Sequence, residues 1–306
     1  MSQTSTHTYK KDDRNASILI NIDGELFPRD EAKVSVFDSA FMLGDGVWEG
    51  LRAHHGKIAF LQTHLDRLYA GAKALDFHPG ISQQELTERI YHTMEQNGMH
   101  DGVHMRLMVS RGTKSTPYQD PRVTVTPPTI VIVPEYKEAL PETVEKGIDL
   151  FTVHVRRGFP DVQDPKLNSH SKINCILACI QATKAGADEA LMLDPHGFVA
   201  TCNSTHFFIV KDDTLMTSTG QYCIDGVTRG AVLSICAAEG ITAEQTNFSL
   251  SDVYSADEAF VTGTFAGLVP VCSVDGRTIG SGKRGPMVER LQELYMQMLE
   301  RECSGE

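Results

Sequence analysis

The sequence predicts an α/β or α+β chain of two domains, and three observations predict it. Its 306 residues suit about two domains. Stretches of strand-like alternation and of helical spacing are interleaved in both halves rather than segregated. A polar, proline-containing stretch from Glu135 to Lys146 divides the halves. The domains are therefore expected at 1–136, with 1–16 flexible, and at 148–306, joined by a connector over 137–147.

The elements follow in order. Ile18–Ile22, a turn at Asp23-Gly24 and Glu25–Phe27 read as a strand pair. From Phe37 to Arg52, Gly44, Gly46 and Gly50 imply tight backbone. His64 to Leu75 reads as a helix because Leu65, Leu68, Ala72 and Leu75 share a face. His104–Val109 and Thr129–Pro134 read as strands. In the second half Ile148–Val155 alternates as a strand, and a loop from Arg157 to Ser171 leads to a helix with apolar positions Ile173, Ile176, Leu177 and Ile180. Leu191–Leu193, the turn Asp194-Pro195-His196-Gly197 and Phe198–Thr201 make a hairpin. Phe207–Val210 continues the sheet, Gly226 to Gly230 opens a helix over Ala231–Glu239, and Glu258–Thr262 is a strand. Gly285-Pro286 starts the last helix, where proline suits the first turn.

Acidic residues outnumber basic ones by 40 to 28, a formal charge of −12. That balance disfavours non-specific binding to nucleic acid or to an anionic membrane. Seven scattered cysteines offer no paired spacing, so free thiols are expected rather than a zinc site or a disulfide framework. The first fifteen residues lack an apolar signal core, and Gly263, Gly267 and Pro270 break the most apolar late stretch. A cytosolic protein is expected.

Two loops have the make-up of an anion site. Val227-Thr228 stands behind Gly226 at a helix start, where unpaired backbone N–H groups attract anions. Gly263-Thr264 lies at a strand end with a small residue, a hydroxyl and exposed amides. Alone, each reads equally as a plain cap or turn, and Arg67 as a solvated or structural arginine.

Five segments in order raise these signals. They are the run from Phe37 to Arg52, His64-Leu65-Asp66-Arg67-Leu68, Ala187-Asp188-Glu189-Ala190-Leu191, Gly226-Val227-Thr228-Arg229 and Val261-Thr262-Gly263-Thr264. Through them the chain, from about Ile20 to Pro286, resembles the class IV aminotransferases, of the branched-chain and D-amino-acid aminotransferase kind. The resemblance implies the D-amino-acid aminotransferase-like fold type IV, pyridoxal 5'-phosphate as cofactor, and a homodimer. It implies amino-group transfer between an amino acid and a 2-oxo acid, branched-chain-like. It assigns the phosphate to Arg67, Val227, Thr228, Gly263 and Thr264, and the substrate carboxylate to the Thr264-Phe265-Ala266 turn. Arg106 stands on a strand where relatives place an arginine facing substrate; a surface ion pair is the alternative.

Two positions depart from the family pattern. The lysine that forms the family's internal Schiff base and moves the substrate proton is replaced by Asn168, counted without gaps from Gly186. Lys172 follows four residues later, so if the backbone there is already helical the two share a face. Lys172 is thus the expected catalytic and cofactor-bonding residue, with Lys166 as the other nearby amine. Thr201 stands where the family's glutamate pairs with the cofactor's ring nitrogen; a hydroxyl can bond that nitrogen but cannot hold a proton on it. His206, Asn203 and Ser204 could supply further polar contacts. These departures keep two alternatives open: another pyridoxal-phosphate reaction, such as elimination, lyase chemistry or racemisation, or a non-catalytic relative that keeps the fold.

Overall fold

The computed structural model describes residues 5–304, so residues 1–4, 305 and 306 of the expected domains lie outside the described residues. Two units divide the chain. The first holds Lys11–Glu138, Leu167–Lys172 and the last residues from Glu302. Its elements are β1 (Leu19–Ile22), β2 (Glu25–Pro28), α1 (Ser39–Leu43), β3 (Gly46–His54), β4 (Lys57–Ile58), α2 (Leu61–Ala74), α3 (Gln83–Gln96), β5 (Val103–Ser110) and β6 (Ile130–Tyr136). The strands pair antiparallel throughout, in the order β2-β1-β6-β5-β3-β4.

Alternation makes this sheet one-sided. Val47, Leu51 and Ala53 on β3, and Val103, Met105, Leu107 and Val109 on β5, are buried, while the residues between them at Trp48, Gly50, Arg52, His104, Arg106 and Met108 are only partly so. They pack on Leu65, Leu68 and Ala72 of α2 and Leu86, Ile90 and Met94 of α3, residues at helical spacing. Each such leucine or isoleucine contributes about 1.5–3 kcal/mol on leaving water.

The second unit holds Ala139–Lys166, Ile173–Arg301 and the N-terminal stretch that ends at Lys10. It runs through α4 (Pro141–Lys146), β7 (Ile148–Thr152), α5 (Pro160–Gln163), α6 (Ile173–Ala185), β8 (Glu189–Leu193), β9 (Val199–Cys202), β10 (His206–Lys211) and β11 (Thr214–Thr217). It continues with α7 (Val227–Glu239), β12 (Ala243–Gln245), α8 (Leu250–Tyr254), β13 (Glu258–Gly263), β14 (Gly267–Val274), β15 (Arg277–Thr278) and α9 (Pro286–Ser304). The sheet order is β12-β11-β10-β13-β14-β7-β8-β9, with β15 paired to β14. Its pairs are antiparallel except β11–β12, β14–β7 and β7–β8. Every residue of β8 is buried because both faces are covered. Leu191 and Leu193 join a cluster with Phe207, Val261 and Phe248, whereas Ala190 and Met192 meet Ala178 and Ala182 of α6.

The structure adds four details to the sequence expectations. The units are not continuous: Thr6 is hydrogen-bonded to Glu189, which ties the N-terminal stretch to the second unit, and residues 168–170 pair with β3 of the first. Within the stretch expected to be flexible, Thr6 is buried and Asp13–Ala16 form a 3₁₀ turn capped by Asp12. The connector contains α4, with Pro141 in its first turn. On α6 the buried positions are Ala178 and Ala182, while Ile173, Ile176, Leu177 and Ile180 are 44–64% exposed. Small side chains let that helix approach the sheet and turn the large ones outward. Among the described residues no helix is long and apolar enough to cross a membrane.

Candidate functional site

Position 49 falls on the buried side of β3, between Val47 and Leu51, so the period that builds the core also buries a carboxyl group. A buried charge must be paired, and α2 supplies both partners one turn apart. His64 Nδ1 lies 2.7 Å from Glu49 Oε2. Arg67 Nε donates to Oε1 at 2.8 Å, and one of its terminal nitrogens donates to Oε2 at 2.6 Å. Burial alone would raise the Glu49 pKa, but the hydrogen bonds from His64 and Arg67 outweigh it and hold the carboxyl below its ordinary value.

Trp48, the single tryptophan of the chain, alternates to the other face of β3. Residues 168–170 pair with this end of the strand. Trp48 N–H donates to the Asn168 carbonyl at 3.1 Å, and His170 N–H to that of Gly46 at 3.0 Å. Asn168 Nδ2 donates to the Trp48 carbonyl at 2.6 Å, and the indole Nε1 to the Ser169 carbonyl at 3.0 Å. Asn168 is only 6% exposed. The Trp48 carbonyl fixes which way its amide faces, and its Oδ1 is buried with no hydrogen-bond partner among the described residues.

Two cations attend the indole. Arg106, opposite Gly50 on β5, brings its guanidinium carbon to 3.7 Å from the ring centroid, and Lys172 Nζ lies 5.4 Å from it. No hydrogen bond or ion pair of Arg106 is found among the described residues, so the surface ion pair is not formed; burial lowers its pKa, opposed by the charge of Glu49. The backbone at 168–172 is not helical, and α6 begins at Ile173. The shared helical face expected for positions 168 and 172 is therefore absent, because pairing with β3 keeps the segment out of the helix. Lys166 is exposed.

In the second unit, Thr201 is buried on β9 and its Oγ1 donates to the Thr205 carbonyl at 2.8 Å. The following turn is held by Glu189, the first residue of β8. Its Oε1 accepts from Ser204 N–H at 3.1 Å, Ser204 Oγ at 2.7 Å and Thr205 Oγ1 at 2.9 Å. Burial pushes the Glu189 carboxyl up, and these bonds only partly oppose that. Beside this turn α7 starts at Val227 with Gly226 as its N-cap and no side chain capping it. The Gly226 backbone is ordinary (φ −73°), so space rather than conformation demands glycine. A Cβ there would collide with His206 Nε2. Gly263 ends β13 with the place of a Cβ 3.4 Å from Thr205 Cγ2, and the turn Thr264–Ala266 leads to Gly267, whose φ of +69° requires glycine. Phe265 is buried within that turn.

The expected site residues thus fall into two sets. Arg106 and Lys172 meet at Trp48, while Arg67 is held on the opposite face of the same sheet by Glu49. In the second unit, Thr205 links the Thr201 strand to the Gly263 turn, and His206 links it to the start of α7. Trp48, Glu49 and Glu189 enter the sequence expectations only inside motifs. A charged residue in step with Val47 and Leu51 is the signal that marks Glu49. Among the described residues no group of three or more His, Cys, Asp or Glu side chains could hold a metal ion.

Residues 46–274 match the family model described as amino-transferase class IV. The chain is 41% identical over 284 residues to the branched-chain-amino-acid aminotransferase-like protein 2 of Arabidopsis thaliana, covering 93% of this chain and 51% of that protein. It thus spans about half the length of that relative. It is 38% identical over 277 residues to a putative branched-chain-amino-acid aminotransferase of Methanocaldococcus jannaschii, covering 90% and 94% of the two chains. Among solved structures, a T.th. branched-chain amino acid aminotransferase with pyridoxamine 5'-phosphate matches with a TM-score of 0.87 at 31% identity, over 93% of this chain and 95% of that one.

Proposed function

Because the chain belongs to the class IV aminotransferase family, we propose that it binds pyridoxal 5'-phosphate and transfers an amino group between an amino acid and a 2-oxo acid, branched-chain-like. The observation that carries this is the uncapped start of α7 behind Gly226. Its backbone N–H groups suit a phosphate dianion, and His206 keeps a side chain from filling the space at Gly226.

When bound, the cofactor supplies a carbonyl that accepts the amino group and a ring that delocalises electrons from the substrate Cα. Val227 and Thr228, with Gly263, Thr264 and the guanidinium of Arg67, hold the phosphate in this reading. Lys172 would be the residue that holds the cofactor and moves the substrate proton, in place of the family lysine whose position Asn168 occupies. Arg106, desolvated and with no carboxylate partner, receives the substrate carboxylate together with the turn at Phe265 and Ala266. Thr201 can meet the ring nitrogen only by exchanging its bond to the Thr205 carbonyl. As a hydroxyl it could bond that nitrogen but could not hold a proton on it. The outward isoleucines and leucine of α6 support a homodimer.

A second reading is favoured by Asn168 itself. With its amide bonded to Trp48, the chain would keep the fold and the phosphate cradle without a covalent lysine, and serve another reaction or none. Borohydride reduction of the protein loaded with pyridoxal phosphate, followed by peptide mass spectrometry, separates the two. An adduct on Lys172 that disappears in Lys172→Ala, with transfer activity toward 2-oxo acids, is expected. The absence of any lysine adduct would sink the first reading.

A further inference from the structure

The first residues of the chain form a small closed turn. Thr8 N–H donates to the Ser5 carbonyl at 3.0 Å and Ser5 N–H to Thr8 Oγ1 at 2.8 Å. Tyr9 then pairs with Ala139, fixing the exit of the turn. The two residues at its tip reach different targets. Thr6, 2% exposed, donates its hydroxyl to Glu189 Oε2 at 3.0 Å. His7 stacks on Phe265, with ring centroids 5.6 Å apart and planes 10° from parallel.

Each target governs one of the two turns described above. The other oxygen of Glu189 holds Ser204 and Thr205, and Thr205 in turn lies against Gly263. Phe265 is the buried middle of the Thr264–Ala266 turn. One four-residue segment therefore touches both turns, from one side through a carboxylate and from the other through a ring. A hydrogen bond to a buried carboxylate is among the stronger contacts a side chain makes, and a stacked pair adds to it.

We propose that the Ser5–Thr8 turn is a strap that positions the anion cradle, with Thr6 and His7 as its positioning residues and a phosphate monoester as the ligand whose affinity depends on it. The identity of that ligand rests on the cofactor reading; the strap itself rests on the contacts above.

The test compares the wild-type chain with Thr6→Val, Thr6→Ser, His7→Ala and His7→Phe, each made singly so that one misfolded variant leaves the others. Amide hydrogen exchange is measured over residues 201–206 and 263–266 without cofactor. Affinity is then measured for pyridoxal 5'-phosphate and for pyridoxal, which lacks the phosphate. Thr6→Val and His7→Ala are expected to speed exchange in the turns about tenfold or more, and to weaken pyridoxal phosphate by a similar factor. Pyridoxal affinity stays put. Thr6→Ser, which keeps the hydroxyl, and His7→Phe, which keeps the stack, remain near wild type. Unchanged exchange in both turns would overturn the strap, and faster exchange with unchanged phosphate-ester affinity would overturn its positioning role. Faster exchange with no phosphate-dependent binding by any variant, wild type included, supports the strap and refutes the cofactor reading instead.

Discussion

Replacing Glu49 with glutamine perturbs a fully buried carboxylate of the first unit whose partners on α2 are His64 and Arg67. The substitution preserves shape but presents an amide to donors on His64 and Arg67 that now bond two carboxylate oxygens. Removing one partner of a buried ion pair costs about 3–5 kcal/mol. Arg67 retains 17% side-chain exposure and can recover some hydration, so the lower end, about 3 kcal/mol, is the better figure. At roughly 2–4 °C per kcal/mol the melting temperature should fall by about 10 °C. The pH dependence supplies an independent check. The native Glu49 pKa lies below its ordinary value, so its stabilisation is present above the unfolded value and is lost as pH falls through the native one. The gap between wild type and Glu49→Gln should therefore be full at neutral pH and close below about pH 4. Calorimetry or urea titration at several pH values measures it. A neutral-pH difference under about 1 kcal/mol, or a gap that does not narrow in acid, would refute the account of this cluster.

Gly226→Ala should weaken pyridoxal phosphate strongly and cost about 1–3 kcal/mol of stability, because the new methyl would collide with His206 Nε2; adding His206→Ala should restore part of both, as titration and melting would register. Arg106→Met should raise KM for carboxylate substrates about tenfold or more while leaving cofactor affinity unchanged; steady-state kinetics beside a cofactor titration would separate the two.

The parts legible in the sequence are those fixed by local rules. The β1–β2 hairpin follows from Asp23-Gly24, and the α7 start from Gly226. Helix α3, absent from the sequence expectations, is nonetheless locally encoded: Leu86, Ile90 and Met94 repeat every four residues, and Ser82 caps it by accepting from Glu85 N–H. Strand β14 is obscured by Pro270, which pairs opposite Phe260. Other features depend on distant partners. The outward face of α6 is the more hydrophobic one, and only the closeness of β8 explains why alanines face inward. The non-helical backbone at Lys172 follows from pairing with a strand some 120 residues earlier, which no local spacing encodes.

At both positions that the resemblance marks as departures the side chain bonds backbone of its own unit. Asn168 Nδ2 holds the Trp48 carbonyl and Thr201 Oγ1 holds the Thr205 carbonyl. On the proposed reading Thr201, already bonded to the Thr205 carbonyl, should only modulate a bound ring. On the proposed reading, Lys172 and Arg106, gathered on one indole, are the groups whose removal should change chemistry more than stability.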